Sequence, residues 1–191
     1  MYFDTLYLME SLAEYASPKS KLTTMIKSGE VIKIKRGLYI KDNDYNRNTL
    51  ANIIYGPSYI SFEYALSWHG IIPEKVQVVT SAVFNKNKDK LFETPVGKFL
   101  YRYINPLVYY QSVVLIEEEN EPFLIATKEK AVCDTLYKIK KLKADYDIEK
   151  LLFDDLRFDR EQVFSLDKKE LKLLVPLYRK KLLDRFLKFL T

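Results

Sequence analysis

The sequence predicts an α+β protein in which a small N-terminal domain precedes a larger mixed α/β domain with a small sheet and C-terminal helices. A short helical pattern over residues 17–29 is followed at once by a hairpin pattern over residues 31–40. Runs rich in β-branched and aromatic residues then recur between residues 76 and 126, and amphipathic helical patterns fill most of the chain beyond them. This mixture of apolar periods near 2 and near 3.6 residues is typical of the α+β class.

The first two elements are predicted to be helices that pack on each other. Residues 4–16 carry apolar residues at helical spacing, which predicts the first helix. The second has sharp boundaries, because Ser17 can cap its N-terminus, Pro18 suits the first helical position and Gly29 can adopt the left-handed conformation that ends it. Its inward-facing residues are predicted to be Leu22, Met25 and Ile26.

After Gly29 the apolar period changes to two, which predicts a hairpin. Val31, Ile32 and Ile34 alternate with lysines, residues 36–37 permit a tight reversal, and residues 38–40 return as a second strand. A helix followed at once by a hairpin is typical of a winged helix-turn-helix, which we predict over residues 1–46. Few residues precede Gly29, so one helix of a complete winged domain is expected to be reduced to a turn or missing.

Charge suggests what this N-terminal domain does. Residues 17–41 contain seven Lys or Arg residues and one acid, Glu30, whereas the net charge of the whole 191-residue chain is only +5. Such a patch can neutralise several phosphates of a nucleic acid. A solvated surface that only keeps the protein soluble is the alternative.

A polar run over residues 41–48 predicts the domain boundary, and a second domain is expected over residues 49–191. This domain is predicted to begin with helices over residues 50–55 and 61–69, and the second of these is capped by Ser61 and ended by Gly70. Strands are predicted next, over residues 76–82, 98–104, 108–116 and 122–126. Three further helices are predicted over residues 127–140, 147–156 and 168–190. Pro176 is expected to kink or split the last helix.

The last helix is basic as well as amphipathic, with eight Lys or Arg residues and three acids from Asp167 onward. It could therefore form a second contact with nucleic acid or lie on a membrane surface. The simpler interpretation is an ordinary helix that buries its apolar stripe on the neighbouring sheet.

Candidate catalytic residues are few, so we expect no enzyme, no metal site and no cofactor. His69 is the only histidine and Cys133 the only cysteine, and neither glycine-rich phosphate-binding motif occurs. Cys133 cannot form an internal disulfide, which agrees with a reducing compartment. Acidic residues interrupt the apolar pattern of the N-terminus, which argues against a signal peptide or membrane span and predicts a cytoplasmic location.

Three blocks of the sequence, in this order, resemble the AbiEi-type antitoxins of the AbiE type IV toxin-antitoxin and phage-defence systems. Residues 17–40, with their basic helix, Gly-Glu, alternating apolar residues and Arg-Gly-Leu-Tyr, are similar to the family's N-terminal winged helix. Residues 59–70 (YISFEYALSWHG) resemble the segment that opens its second domain. Residues 125–134 (IATKEKAVCD) resemble a later helix start.

The resemblance implies a bacterial regulator that binds its own double-stranded promoter DNA through the N-terminal domain. The C-terminal domain is then expected to oppose a nucleotidyltransferase-like toxin encoded alongside, without a stable complex. The residues expected to contact DNA are Lys19, Ser20, Thr23, Thr24 and Lys27 on the helix and Lys33, Lys35, Arg36 and Tyr39 on the wing. Cations would mostly meet phosphates, whereas the hydroxyls of Ser20, Thr23 and Thr24 suit base edges.

Several alternatives remain open on the sequence alone. The chain could neutralise a toxin by binding it directly, act as a stand-alone winged-helix regulator, or cleave nucleic acid held by the basic patch. Glu63, His69, Glu129 and Asp134 fall within the resembling blocks. They could serve antitoxicity, or they could simply cap and orient the helices that carry them.

Overall fold

The structure, a computed structural model, describes residues 2–41, 45–84, 88–118, 121–140, 142–143 and 146–191. The protein has a mixed α+β fold. The strands are β1 (Tyr2–Phe3), β2 (Val31–Lys35), β3 (Leu38–Lys41), β4 (Tyr59–Ile60), β5 (Val79–Val83), β6 (Lys90–Thr94), β7 (Gly97–Tyr103), β8 (Val113–Glu118) and β9 (Glu121–Ala126). The helices are α1 (Thr5–Ser11), α2 (Pro18–Ser28), α3 (Arg47–Ile54), α4 (Phe62–Trp68), α5 (Pro106–Tyr109), α6 (Lys128–Lys138), α7 (Ile148–Lys150), α8 (Arg160–Phe164), α9 (Lys168–Tyr178) and α10 (Lys181–Leu190).

The strands form two sheets. The smaller is antiparallel in the order β1-β3-β2. The larger has the order β6-β7-β5-β4-β9-β8 and is mixed, because β5 runs parallel to β7 and β4 runs parallel to β9. Strands β6 and β8 therefore lie at its two edges.

The N-terminal helices follow the predicted pattern with two differences. Helix α2 begins after Ser17 and ends at Gly29, whose φ is +80°, as predicted. Ser17 does not cap the helix through its side chain, because its Oγ is 2.9 Å from Oγ of Ser20 instead of accepting a backbone N–H. Helix α1 begins near the predicted position, where Asp4 caps it by accepting a hydrogen bond from the Tyr7 N–H at 2.7 Å, but it ends at Ser11, earlier than predicted.

Two apolar cores hold the protein together, and the β2–β3 hairpin contributes to both. The small core contains Leu8, Leu12, Leu22, Val31 and Tyr39, with Met25 and Ile26 of α2 packed against it. The main core contains the side chains of the large sheet and later helices, together with Ile34, Leu38 and Ile40 of the hairpin. The hairpin thus connects the region around α2 to the rest of the molecule.

The predicted boundary over residues 41–48 includes residues 42–44, which lie outside the described residues, and Arg47 and Asn48 already belong to α3. The predicted strand over residues 108–116 is wrong in its first part. Asn105 accepts a hydrogen bond from the Leu107 N–H at 3.0 Å and caps the short helix α5, so β8 starts only at Val113. Strand β6 was not predicted.

The C-terminal helix pattern is also divided differently from the prediction. Pro176 lies inside α9, and the break between α9 and α10 comes later, at Arg179, which adopts φ +50°. The segment predicted as a helix over residues 147–156 consists of α7 and the π-helical turn Leu151–Asp155 that continues it. Among the described residues, no helix is long and apolar enough to cross a membrane.

Candidate nucleic-acid interface

Helix α2 presents one apolar and one polar face, as its sequence period requires. Leu22 is buried, and Met25 and Ile26 pack against the small core. The five residues expected to contact DNA on this helix are all exposed: Lys19, Ser20, Thr23, Thr24 and Lys27. The burial of the apolar stripe therefore fixes which face of α2 is open to a ligand.

The hydroxyl groups of Thr23 and Thr24 on this face already donate hydrogen bonds to carbonyl groups within the helix. Thr23 Oγ1 donates to the carbonyl of Lys19 at 2.9 Å, and Thr24 Oγ1 donates to the carbonyl of Ser20 at 3.1 Å. Their hydroxyl hydrogens are therefore occupied, while lone pairs on the oxygens stay open to donors. In this arrangement the two threonines suit base groups that donate, such as an exocyclic amine, better than base groups that accept.

The hairpin brings only part of its predicted set to the surface. Lys33 and Arg36 are exposed. Lys35 is half-buried, and its Nζ donates a hydrogen bond to the carbonyl of Ile54. Burial is the main cause that lowers the pKa of Lys35, and the nearby positive charge of Lys90 lowers it further. The expectation for Tyr39 needs correction, because its side chain is only 7% exposed and packs in the small core.

Four cations of this region are thus free of protein partners as far as the structure describes the chain. Among the described residues, none of Lys19, Lys27, Lys33 and Arg36 forms an ion pair. A fifth, Lys21, lies over the ring of Tyr15 at 5.0 Å from its centroid. We call Lys19, Lys27, Lys33 and Arg36 the N-terminal basic surface.

A second basic region lies where α6, α9 and α10 end or begin. A groove of about 530 Å³ is lined there by five cations and one acid, Lys143, Lys180, Lys181, Arg185, Lys188 and Asp184. Two of these cations donate hydrogen bonds to backbone carbonyl groups. Lys180 Nζ donates to Tyr137 and, at 2.6 Å, to Ile139, and Arg185 donates to Tyr146. Part of the positive charge seen in the sequence therefore stabilises loop and helix ends.

The structure reveals a buried polar cluster that the sequence pattern did not predict. Asp134 of α6 accepts hydrogen bonds from Tyr178 at 2.5 Å and from Tyr59 and Ser61 at 2.8 Å each. Lys130 Nζ lies 3.0 Å from Asp134 Oδ1 and also donates to the carbonyl of Val108 at 2.6 Å. The signal available in the sequence was the spacing of Lys130 and Asp134, one turn apart on a helix.

This cluster lies in the protein interior. The side chains of Lys130 and Asp134 are 0% exposed, and Tyr59 and Tyr178 are nearly as deeply buried. Burial is the main cause that raises the pKa of both tyrosines, and the charge of Asp134 raises it further. The cluster therefore fixes α6 against β4 and α9.

The other polar residues of the resembling blocks also have structural partners. Arg102 donates two hydrogen bonds to the carboxylate of Glu63, at 2.7 and 2.8 Å. His69 Nε2 lies 2.8 Å from the carbonyl of Ala126, and burial lowers the pKa of His69. Glu129 accepts a hydrogen bond from the Asp167 N–H at 2.8 Å. These contacts join α4, α6 and α9 to their neighbours.

Cys133 is buried, and burial raises the pKa of its thiol. Within the described ranges, no group of His, Cys, Asp and Glu side chains is arranged to hold a metal ion.

Comparison with protein-family models and with curated proteins gave no match for the chain. The geometry of the N-terminal basic surface is therefore the main guide to function.

Proposed function

We propose that the protein is a DNA-binding regulator and antitoxin of the AbiEi type. In this proposal, α1, α2 and the β2–β3 hairpin form a winged helix-turn-helix that binds double-stranded promoter DNA. The remainder of the chain opposes a nucleotidyltransferase-like toxin. The observation that carries the DNA-binding part is the N-terminal basic surface, whose cations lie on a helix and on the hairpin that directly follows it.

The chemistry of this surface fits a phosphate backbone. Exposed cations without protein partners attract phosphates at little cost in broken contacts. The fixed packing of α2 on the small core supplies a rigid helix, which groove recognition requires. Ser20, Thr23 and Thr24 lie between the lysines on the same helix and are the candidates for contacts with base edges.

Charge reversal in the full-length protein tests the DNA-binding part. The double variant Lys27→Glu, Arg36→Glu should weaken binding to its promoter duplex by more than about tenfold at low salt. The matched control is Lys75→Glu, Lys150→Glu, which makes the same change in net charge at two exposed positions outside the N-terminal basic surface and outside the basic segment over residues 168–190. Fluorescence anisotropy with promoter and scrambled duplexes measures both. Equal losses in the two double variants would show that only overall charge matters and would overturn the assignment of this surface.

The antitoxin part needs a separate experiment. Co-expression of the full-length protein with the nucleotidyltransferase-like protein encoded beside it should restore growth. Rescue should persist in the Lys27→Glu, Arg36→Glu variant when both genes are driven from a foreign promoter, because that variant changes only the DNA-binding surface. Co-purification of the two proteins at high salt would instead favour direct neutralisation. The absence of such a neighbouring gene would leave a stand-alone regulator.

A further inference from the structure

Strand β8 forms an edge of the large sheet and carries exposed apolar side chains. It pairs with β9 on one side, and no other described strand pairs with its second side. Leu115 in its centre is 65% exposed, and its cross-strand neighbour Leu124 is 39% exposed. An open apolar edge of this kind is a ready template for another strand.

The backbone pattern shows which groups of β8 point outward. The Thr127 N–H donates to the carbonyl of Ser112 at 3.0 Å, directly beyond the pair formed by Val113 and Ala126. Hydrogen-bonded pairs alternate along an antiparallel ladder, so Val114, Ile116 and Glu118 bond to β9. The N–H and C=O groups of Val113, Leu115 and Glu117 therefore point away from β9, toward the open side.

The opposite edge of the sheet is protected in a way that β8 is not. Strand β6 has a lysine at its start and a glutamate near its end. Glu93 forms an ion pair at 2.7 Å with Lys98 of the neighbouring strand. Charged residues of this kind are the usual protection of an edge strand. In β8 the first four residues are all apolar and uncharged, and its two acids are both at the far end.

This distribution makes β8 complementary to a second copy of itself. In an antiparallel pair centred on Leu115, each Glu117 lies opposite Val113 of the other copy, so no carboxylate opposes a carboxylate. Leu115 meets its own counterpart, and Leu124 extends the row of leucines on each side. The outward groups of both strands would then form about six backbone hydrogen bonds. A parallel arrangement would instead bring the acids of the two copies together.

We propose that two copies of this protein associate through antiparallel pairing of β8 about a two-fold axis at Leu115, which joins their large sheets into one. The partner is a second copy because reversing one strand keeps the acids of the two copies apart and places Leu115 against Leu115. The proposal does not depend on DNA binding. It is a closed, isologous contact, in which the same strand serves both partners.

Sedimentation equilibrium of the full-length protein without DNA tests the proposal. The wild type should change from mostly monomer to mostly dimer over about a thousandfold range of concentration, as mass action requires. Leu115→Pro removes the central outward N–H without affecting the bonds to β9, and Leu115→Lys places a charge at the centre of the contact. Each should raise the dissociation constant by at least about tenfold, whereas the control Leu91→Lys, at an exposed position of the other edge, should leave it unchanged.

Cross-linking provides a second measurement that does not require Leu115→Pro to fold. In the proposed register the two Leu115 Cα atoms lie about 5.5 Å apart, a separation that a disulfide can span. Leu115→Cys should form a covalent dimer on mild oxidation, and Leu91→Cys should not. Cys133 is buried and should contribute no background. A wild type that stays monomeric throughout, or equal cross-linking at the two positions, would overturn the proposal.

Discussion

Lys130 and Asp134 form an ion pair at 3.0 Å on one face of α6, and neither side chain is exposed to solvent. The pair is surrounded by hydroxyl groups of Tyr59, Ser61 and Tyr178, which come from distant parts of the chain. Because each charge has several partners, the cost of removing it from water is offset within the cluster. The cluster is therefore sensitive to the loss of any one charge.

Asp134→Asn should strongly destabilise the protein. The substitution keeps the shape of the side chain but leaves the Lys130 ammonium buried without its counter-charge. Breaking a buried pair in this way costs about 3–5 kcal/mol in the free energy of unfolding, which urea denaturation measures. The exposed pair of Arg160 and Glu149 supplies the control, and Glu149→Gln should cost less than about 1 kcal/mol. Similar losses in both variants would contradict the role given to burial.

Tyr39 should matter for stability and not for DNA binding. Its ring packs in the small core, so Tyr39→Ala should lower the free energy of unfolding by about 3 kcal/mol. Tyr39→Phe keeps the ring and should change neither stability nor promoter affinity appreciably. If Tyr39→Phe weakened promoter binding while its thermal unfolding stayed unchanged, the hydroxyl of Tyr39 would have to contact DNA.

Lys33 and Lys35 should differ in the salt dependence of DNA binding. Lys33 is exposed, whereas Lys35 donates to the carbonyl of Ile54. Lys33→Ala should therefore reduce the slope of log affinity against log salt concentration by about 1, as expected for a lost phosphate contact. Lys35→Ala should leave the slope nearly unchanged and lower the melting temperature. Anisotropy titrations over a series of salt concentrations, together with thermal melts, distinguish the two lysines.

His69 should make stability depend on pH just below neutrality. Burial lowers its pKa in the folded protein below the usual 6.5, so the unfolded chain takes up a proton first as the pH falls. The free energy of unfolding should therefore decrease as the pH falls through about 6.5 and level off below the folded pKa. His69→Gln retains a donor for the carbonyl of Ala126 and should remove this part of the pH dependence. An unchanged profile in the variant would show that other groups cause it.

Sequence reasoning was most accurate where local signals and packing agree. The bounds of α2 follow from Pro18 and Gly29, and its buried stripe follows from the spacing of Leu22, Met25 and Ile26. These are short-range features, so neighbouring residues contain the necessary information. The expectation of an α+β fold rested on the same kind of signal over longer stretches.

The errors arose where distant partners decide. Ser61 occupies the N-cap position of α4, as predicted, but its hydroxyl donates to Asp134, 73 residues away, and does not cap the helix. Tyr39 lies on the predicted wing and was expected to contact DNA, but its ring is buried against side chains of α1 and α2. Strand β6 escaped prediction because an edge strand with charged ends has no continuous apolar pattern. Such features depend on contacts between distant residues, and the local spacing of apolar residues carries no information about these contacts.

The β2–β3 hairpin has side chains in both apolar cores, and this has a consequence for any attempt to divide the chain. A cut near residue 46 would leave Ile34, Leu38 and Ile40 of the N-terminal fragment without the surroundings that bury them. The C-terminal fragment would in turn expose the surface they cover. We therefore expect the chain to unfold as one cooperative unit, and a deletion that removes one activity would also weaken the fold that supports the other.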